Sequence, residues 1–201
     1  MYVPKHFAVS DRDALIAFIE REPFGIVVSV DSRVPVASHV PIVVLQREPQ
    51  LVLGLHVAKA NPQWRTIDAA QALVIFHGPH AMVSASWYAQ PQHDVPTWDY
   101  SAVHCTGTAH VASANETREI LESTASQLDP AWRIEDADAE YIARMQQAIV
   151  GVRILVDRID GAAKFSQNRT PDDRRRVIEA LKRSTRAMDK EVASIMEEQR
   201  S

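Results

Sequence analysis

Two polar segments of the chain each follow an apolar run and combine a cation with amides and small residues. The first is His56-Val57-Ala58-Lys59-Ala60-Asn61-Pro62-Gln63-Trp64, and the second is Lys164-Phe165-Ser166-Gln167-Asn168-Arg169. Cationic, amide and hydroxyl side chains bind phosphate oxygens and the carbonyls and hydroxyls of planar polar ligands. The pattern therefore predicts two ligand-binding turns.

In the first segment, Lys59 supplies a cation and the small residues around it leave backbone N–H groups open to an anion. Asn61-Pro62 favours the start of a helix, whose N-terminus also attracts phosphate. The alternative is that Asn61-Pro62 only caps a helix and that Lys59 is solvated. The candidate ligand-binding residues of this segment are His56, Val57, Ala58, Lys59, Asn61, Gln63 and Trp64.

The second segment offers five adjacent polar side chains after its apolar strand. They could bind the phosphate, hydroxyl or carbonyl groups of a polar ligand, whereas the alternative is a turn with solvated charges. The density of versatile groups favours the ligand interpretation. The candidates are Lys164, Ser166, Gln167, Asn168 and Arg169.

A third candidate is Ser38-His39-Val40, a polar pair inside an otherwise apolar strand. Ser38 and His39 could hydrogen-bond the edge of a flat ring system, with Val40 against its face. The alternative is a hydrogen-bonded core histidine in an edge strand that Pro41 bends.

Other reactive side chains carry weaker signals. Trp87, Tyr88, Trp98 and Tyr100 bracket a polar loop at 90–97, and such aromatics more often pack in a core or interface than stack on a ligand. No carboxylate lies at metal-ligand spacing from the histidines, and no P-loop, nucleophile elbow or dinucleotide motif follows a strand. Cys105 reads as a small core residue. We therefore assign no metal ligand and no catalytic side chain.

The elements that must position these segments are mostly strands at hairpin spacing. Apolar runs predict strands at 24–30, 34–45, 51–57, 72–76, 81–88, 100–111 and 152–165, with turns at Gly78-Pro79 and Asp160-Gly161. Helices are predicted after Ser10 or Asp11, at 115–128, at 141–149 and beyond Pro171, the last as one helix or as two with a break near Ser184. The prediction is a mainly β protein with flanking helices (α+β), built on an antiparallel barrel.

Composition restricts the class of protein. The chain has 201 residues, of which 46% are hydrophobic and 24% charged, as in a soluble globular domain. No apolar run is long enough to span a bilayer, the N-terminal residues do not resemble a signal peptide, and a single cysteine forms no internal disulfide, so we expect a cytoplasmic protein without a membrane partner. The net charge of −4 disfavours a broad nucleic-acid surface.

The two polar segments, together with four further motifs, resemble the PaiB family. The additional motifs are 1–7 (MYVPKHF), 77–81 (HGPHA), 84–88 (SASWY) and 95–100 (VPTWDY). The motifs run in family order from residue 1 to residue 169. The resemblance implies an FMN-binding split barrel of the pyridoxamine-phosphate-oxidase type over 1–169, with 170–201 as a C-terminal amphipathic helical extension of the same domain.

The resemblance also implies function. Split barrels of this kind are homodimers that hold FMN, with the strand end at Lys59 on its phosphate and the 164–169 segment completing the pocket. Two roles stay open: an FMN-dependent oxidoreductase or flavin reductase that takes electrons from NAD(P)H or a small molecule, and a negative transcriptional regulator that binds DNA or a protein. Met82, Ala85 and Asp99 replace the tyrosine, proline and asparagine frequent in the family, and Lys59 replaces an arginine.

Overall fold

The computed structural model describes residues 1–199 as seven strands and six α-helices. The strands are β1 (Ala8–Val9), β2 (Phe24–Asp31), β3 (Val34–Gln46), β4 (Val52–Ala58), β5 (Gln71–Val83), β6 (Thr97–Val111) and β7 (Ile149–Lys164). The helices are α1 (Arg12–Arg21), α2 (Trp64–Ile67), α3 (Ala114–Leu128), α4 (Ala139–Gln147), α5 (Pro171–Lys182) and α6 (Ala187–Glu198). Within this range no helix is long and apolar enough to cross a membrane.

The strands form one sheet in the order β1-β7-β4-β3-β2-β5-β6, and β6 also pairs with β7. This second pairing of β7 closes the sheet on itself, which leaves few free edges. The registered pairs β1–β7, β2–β3, β2–β5, β3–β4 and β4–β7 are all antiparallel. The predicted mainly β fold, a split barrel with flanking helices, is confirmed.

The chain divides into two compact units, and strands β5, β6 and β7 supply residues to both. The larger unit consists of Asp11–Phe76 and Val103–Ile159. The smaller unit consists of Met1–Ser10, His77–Ala102 and the chain from Asp160 onward.

In the larger unit, β2 and β3 form a long hairpin whose register runs from Phe24↔Pro41 to Asp31↔Val34. Its two-residue loop, Ser32-Arg33, has positive φ angles of 48° and 73°. Two positive φ angles define the type I′ turn, whose twist matches that of paired strands. Alternation along the hairpin buries one face, and the core of this unit contains Ile16, Ile19, Val27, Ile42, Leu53, Leu55, Phe76, Ile120 and Ile154.

In the smaller unit, helices α5 and α6 pack on the ends of the long strands. Thr170 caps α5 by accepting a hydrogen bond from the Asp173 N–H, and Pro171 occupies the first turn, where its missing N–H costs nothing. The break between the helices lies at residues 183–186, so the two-helix alternative is the correct one. The core here consists of Ala81, Val83, Tyr88, Phe165, Val177, Ile178, Leu181, Val192, Ala193 and Met196.

Both predicted strand-interrupting turns are wrong. Gly78-Pro79 lies inside the continuous strand β5, and Asp160-Gly161 lies inside β7, where Gly161 pairs with Val9 of β1. Proline fixes φ near −65°, which extended backbone also permits, so Gly-Pro does not by itself impose a turn. The short helix predicted to start at Asn61-Pro62 is present as α2, which begins at Trp64 and has four residues.

Candidate functional site

The end of β4 forms a tight, internally bonded turn in the larger unit. The Lys59 N–H donates to the Ala148 carbonyl at 2.8 Å, and the Asn61 N–H donates to the Ala58 carbonyl at 2.8 Å. The Gln63 N–H donates to Asn61 Oδ1 at 3.0 Å. These three N–H groups have protein partners and the four-residue α2 has little dipole, so they offer an anion little, and the side chains of the turn are the main candidate donors.

Two cations remain available at this turn, and Trp64 connects them. The Trp64 indole Nε1–H donates to the Lys59 carbonyl at 3.0 Å, and the Arg65 guanidinium lies 5.5 Å from the centre of the Trp64 ring. The side chains of Lys59 and Arg65 are exposed, and within residues 1–199 neither has a carboxylate at ion-pair distance. Two unneutralised cations beside an aromatic ring are a suitable donor set for a phosphate group.

Lys59 and Trp64 line a cleft of about 480 Å³ in the larger unit. Its other walls come from the end of β6, the start of β7, and helices α3 and α4, including Thr117, Gln146 and Val150. The cleft is large enough to receive part of a cofactor. The sequence prediction missed Arg65, although its place one residue after Trp64 is a signal that could have identified it.

The side chains of Ser38, Asn61 and Gln63 form one hydrogen-bond network. Asn61 Nδ2 donates to Ser38 Oγ at 2.8 Å, and Ser38 Oγ donates to Gln63 Oε1 at 2.6 Å. Gln63 is only 6% exposed, and its Nε2 donates to Ser29 Oγ at 3.0 Å and to the carbonyls of Val27 and Val36 at 3.3 Å. Their polar groups thus bind one another and hold the turn against the β2–β3 hairpin.

Ser38 and His39 lie on opposite faces of β3, as neighbours in a strand must. Ser38 faces the Gln63 network, together with half-buried Val40, while His39 is exposed and pairs in register with Ile26. The sequence interpretation placed both polar groups on the edge of one ring, which this alternation does not allow.

The remaining residues of the first segment lie along β4. Val57 is buried and Ala58 is exposed. His56 lines a cavity that is separate from the Lys59 cleft. Burial lowers the pKa of His56, so its imidazole is neutral at pH 7.

In the smaller unit, Lys164 and Ser166 surround the buried carboxylate of Asp99. Lys164 Nζ donates to Thr97 Oγ1 at 2.7 Å and to the Trp98 carbonyl, and it lies 3.7 Å from Asp99 Oδ1. Ser166 Oγ donates to Asp99 Oδ2 at 2.7 Å from a residue with φ of 56°. Asp99 is fully buried, and this burial raises the pKa of its carboxyl, while Ser166 and Lys164 oppose the rise.

The rest of the second segment is held by similar internal contacts. Arg169 pairs with Asp94 at 2.5 Å, and its guanidinium lies 4.4 Å from the centre of the Tyr88 ring. Gln167 folds back on its own turn, where it accepts from the Phe165 N–H and donates to the Ala163 carbonyl. Asn168 is exposed. Of the four aromatic residues predicted to pack in a core or interface, Tyr88 is buried in the core and Trp98 is 50% exposed.

The two segments therefore differ in how well they fit an anion. Lys164 and Arg169 each face a carboxylate of their own unit, Asp99 and Asp94, whereas Lys59 and Arg65 face none among residues 1–199. By this criterion a phosphate group fits the larger unit's turn better than the second segment. The sequence missed Asp99 and Asp94 as partners because pairs some 70 residues apart leave no local pattern. Among residues 1–199, no group of three His, Cys, Asp or Glu side chains could hold a metal ion.

The raised pKa of Asp99 predicts a pH dependence of stability. The folded chain holds this proton to higher pH than the unfolded chain, so stability falls as pH rises from the ordinary value of 3.8 through the raised pKa. Asp99→Asn keeps an acceptor for Ser166 and removes the charge. We expect its stability relative to the unmodified chain to grow with pH across that window, by at most about 1.4 kcal/mol per pH unit.

Urea unfolding at a series of pH values from 4 to 8 measures this difference. Asp129→Asn, which neutralises an exposed carboxylate of the larger unit, is the matched control and should show no comparable trend. A difference between Asp99→Asn and the unmodified chain that stays constant over the series would contradict the assignment.

The chain is similar to known proteins over nearly its whole length. Residues 1–158 match the family described as "Putative FMN-binding domain". The "Protease synthase and sporulation protein PAI 2" of Bacillus subtilis strain 168 is 35% identical over 203 residues, which cover 98% of this chain and 97% of that protein.

Solved structures with low sequence identity share the fold. The flavocytochrome Anf3 from Azotobacter vinelandii has a TM-score of 0.64 at 15% identity, covering 81% of this chain and 72% of its own. The FAD- and heme-binding protein from Mycobacterium smegmatis has a TM-score of 0.62 at 18% identity, and the match covers 78% of this chain and 73% of that protein. Together with the family match, these findings bear out the resemblance read from the sequence motifs: the chain belongs to the PaiB family of FMN-binding split barrels.

Proposed function

We propose that this protein is an FMN-dependent redox protein in which Lys59 and Arg65 bind the phosphate of the cofactor. The single observation that carries the proposal is the pair of unneutralised cations around Trp64 at the end of β4. A phosphate at this turn would form charge-assisted hydrogen bonds with both side chains. FMN supplies the capacity to accept and pass on a hydride or single electrons when it is bound.

The residues around this turn have distinct tasks in the proposal. Lys59 and Arg65 neutralise the phosphate, and Trp64 fixes the Lys59 backbone and the Arg65 guanidinium. The Ser38–Asn61–Gln63 network holds the turn in place from the buried side, which pre-organises the cations. A second candidate segment consists of Lys164, Ser166, Gln167, Asn168 and Arg169. Gln167 and Asn168 are both exposed, and the Gln167 amide is hydrogen-bonded within its own turn.

We also propose that the protein is a homodimer that associates through the exposed face of the β2–β3 hairpin. Phe24, Ile26, Val28 and Val30 alternate on that face, and Phe24 and Val30 are 65% and 57% exposed. An apolar sheet face of this kind is a usual interface. The C-terminal helices offer less apolar surface for association, because Val177, Leu181 and Val192 are fully buried in the core of their own unit.

Sedimentation should give a dimer that Phe24→Asp dissociates, and a monomeric unmodified chain would refute the proposal.

The enzyme interpretation is tested by colour and reduction. We expect the FMN-loaded protein to be yellow and to bleach when NADH or NADPH is added without oxygen, since hydride transfer reduces the ring system. Absorbance near the flavin maximum follows the reaction, and free FMN under the same conditions is the control. A loaded protein that neither donor bleaches would exclude NAD(P)H-dependent reduction.

The second candidate function is transcriptional regulation, which the resemblance to the PaiB family implies. Charge gives it little support, because the net charge is −4 and two arginines of α5, Arg175 and Arg176, pair with Asp172 and Glu179. A regulator that binds DNA should retard a promoter fragment with an affinity that falls steeply as salt rises. Salt-sensitive, sequence-specific retardation by an FMN-free protein would reverse the order of the two functions.

A further inference from the structure

Helix α4 differs from the other helices in how it packs. Within residues 1–199, none of its nine residues is buried, whereas each of the other five α-helices buries at least one side chain. Ile142 and Gln146 are only half-buried, and Tyr141 and Met145 are 49% and 45% exposed. A helix of this length is marginal by itself and depends on burying an apolar face. Helix α4 is therefore held weakly against the rest of its unit.

The inner surface of α4 forms part of the wall of two cavities. Ala143, Gln146 and Gln147 line the Lys59 cleft of about 480 Å³. Ile142, Met145 and, again, Gln146 line a separate apolar cavity of about 440 Å³. Side chains that border empty space lack the dispersion contacts that a packed neighbour supplies. The two cavities thus account for the weak packing of α4.

The chain on both sides of α4 is anchored. Ile134, in the segment before the helix, is buried, and Asp138 caps the helix N-terminus. After the helix, the Ala148 carbonyl accepts the Lys59 N–H at 2.8 Å, and β7 follows directly. A weakly packed helix between anchored ends can open locally while the rest of the unit stays folded. Its C-terminal end is bonded to the turn that carries Lys59.

We propose that α4 is a lid over the Lys59 cleft, which opens to admit FMN and closes once Lys59 and Arg65 hold the phosphate. This inference rests on the proposed FMN site. A cofactor in the cleft supplies the contact surface that α4 lacks, and Ala143 and Gln147 are the lid residues that meet it. Closure keeps the cofactor in place and slows its release.

Amide hydrogen exchange of the full chain, followed by mass spectrometry, measures the opening of α4. Helix α1 is the internal reference, because it has ten residues, has an Asp cap like α4, lies in the same unit and buries four side chains. In the chain without FMN, we expect the hydrogen-bonded amides of α4 to exchange at least about tenfold faster than those of α1.

The response to the cofactor tests closure. A ligand that binds only the closed lid suppresses opening by the ratio of its concentration to its Kd, which is about 100-fold at 100 times the Kd. We expect FMN at that concentration to slow exchange in α4 by at least about tenfold. Riboflavin at the same concentration should have a smaller effect, because it lacks the phosphate. Lys59→Ala should remove most of the effect of FMN.

Two truncations test whether the seating of α4 controls FMN binding. Ile142 lines the apolar cavity but not the Lys59 cleft, so Ile142→Ala loosens α4 without removing a wall of the cofactor cleft. Because the apparent Kd rises as the closed state becomes less populated, this variant should bind FMN about 3- to 10-fold more weakly and release it faster. Leu128→Ala trims the same cavity from α3 and should leave FMN affinity unchanged. Circular dichroism checks that both variants are folded.

The lid is overturned if FMN binds while exchange in α4 stays unchanged, and the proposed cofactor site then stands. It is also overturned if α4 exchanges as slowly as α1 in the chain without FMN, or if Ile142→Ala and Leu128→Ala lose FMN affinity equally. A chain that binds no FMN refutes the proposed function and the lid together. The exchange measurement uses the unmodified chain, so it decides the matter even where Ile142→Ala does not fold.

Discussion

Replacing Gly107 with alanine is expected to destabilise the protein by more than about 3 kcal/mol, because no space exists for a methyl group. A Cβ at Gly107 in β6 would lie 2.0 Å from the Leu155 carbonyl oxygen and 2.8 Å from the Val156 Cα, both in β7. Both neighbours are backbone atoms, which cannot move aside as a side chain can. The substitution would therefore force β6 away from β7, where their pairing closes the sheet.

Urea unfolding of Gly107→Ala measures this loss, and poor folding of the variant during expression would be its extreme form. Thr106→Ala is the matched control, because it changes the preceding, half-exposed residue of the same strand. We expect the control to lose less than about 1 kcal/mol. A Gly107→Ala variant as stable as Thr106→Ala would show that β6 and β7 do not approach as closely as the fold requires.

Replacing Gln63 with leucine is expected to have the second largest effect, about 3 kcal/mol of stability. Gln63 is the centre of a buried network, and its loss leaves Ser29 Oγ and the carbonyls of Val27 and Val36 without its Nε2–H donors. Each buried polar group that loses its partner costs about 1–3 kcal/mol, which the added apolar volume of leucine does not recover. Because the network holds the turn at Lys59, FMN affinity should fall as well.

Gln127→Leu is the control for this prediction. Gln127 is exposed and makes a single long hydrogen bond of 3.3 Å to the Val44 carbonyl, so its loss should cost below about 1 kcal/mol. Unfolding free energies for the two variants give the comparison, and FMN titration gives the second readout. If Gln63→Leu is no less stable than Gln127→Leu, the buried network is not what holds the turn.

The secondary structure could be predicted where local patterns are strong. Asp11 caps α1 as its residue type predicts, accepting from the N–H groups of Asp13 and Ala14, and the long apolar runs form strands close to the expected bounds. The predictions of turns at Gly78-Pro79 and Asp160-Gly161 were wrong, because pairing with a distant strand decides whether the chain turns at such a dipeptide. For Gly161 the deciding partner is Val9, some 150 residues away in sequence, and no local pattern contains it.

The candidate site could be predicted as a place but not as a set of contacts. The polar turn after β4 is where the unneutralised cations lie, and Lys59 was identified from its spacing. Asn61 and Gln63 have amide side chains of the kind that can bind a ligand. Here their amides form hydrogen bonds that hold the turn to the hairpin. Sequence cannot separate a ligand-binding amide from a structural one, because the distinction depends on which partners the fold brings within hydrogen-bond distance.

The same limit applies to charge. Lys164 and Lys59 look alike in sequence, but Lys164 lies 3.7 Å from the buried Asp99 carboxylate and Lys59 has no such partner within residues 1–199. The difference between a cation that is already neutralised and one that is available decides which segment suits a phosphate. This difference depends on the fold, which brings residue 99 close to residue 164.

The central claim is that the turn at the end of β4 binds the phosphate of FMN. The most direct test is to titrate the chain with FMN and with riboflavin, which has the same ring system and no phosphate. We expect FMN to bind about tenfold or more tightly than riboflavin, the range for charge-assisted hydrogen bonds, and the preference to disappear in Lys59→Ala and Arg65→Ala. Lys190→Ala, an exposed lysine of α6, should keep it. An unchanged preference for FMN in Lys59→Ala and Arg65→Ala would contradict the claim.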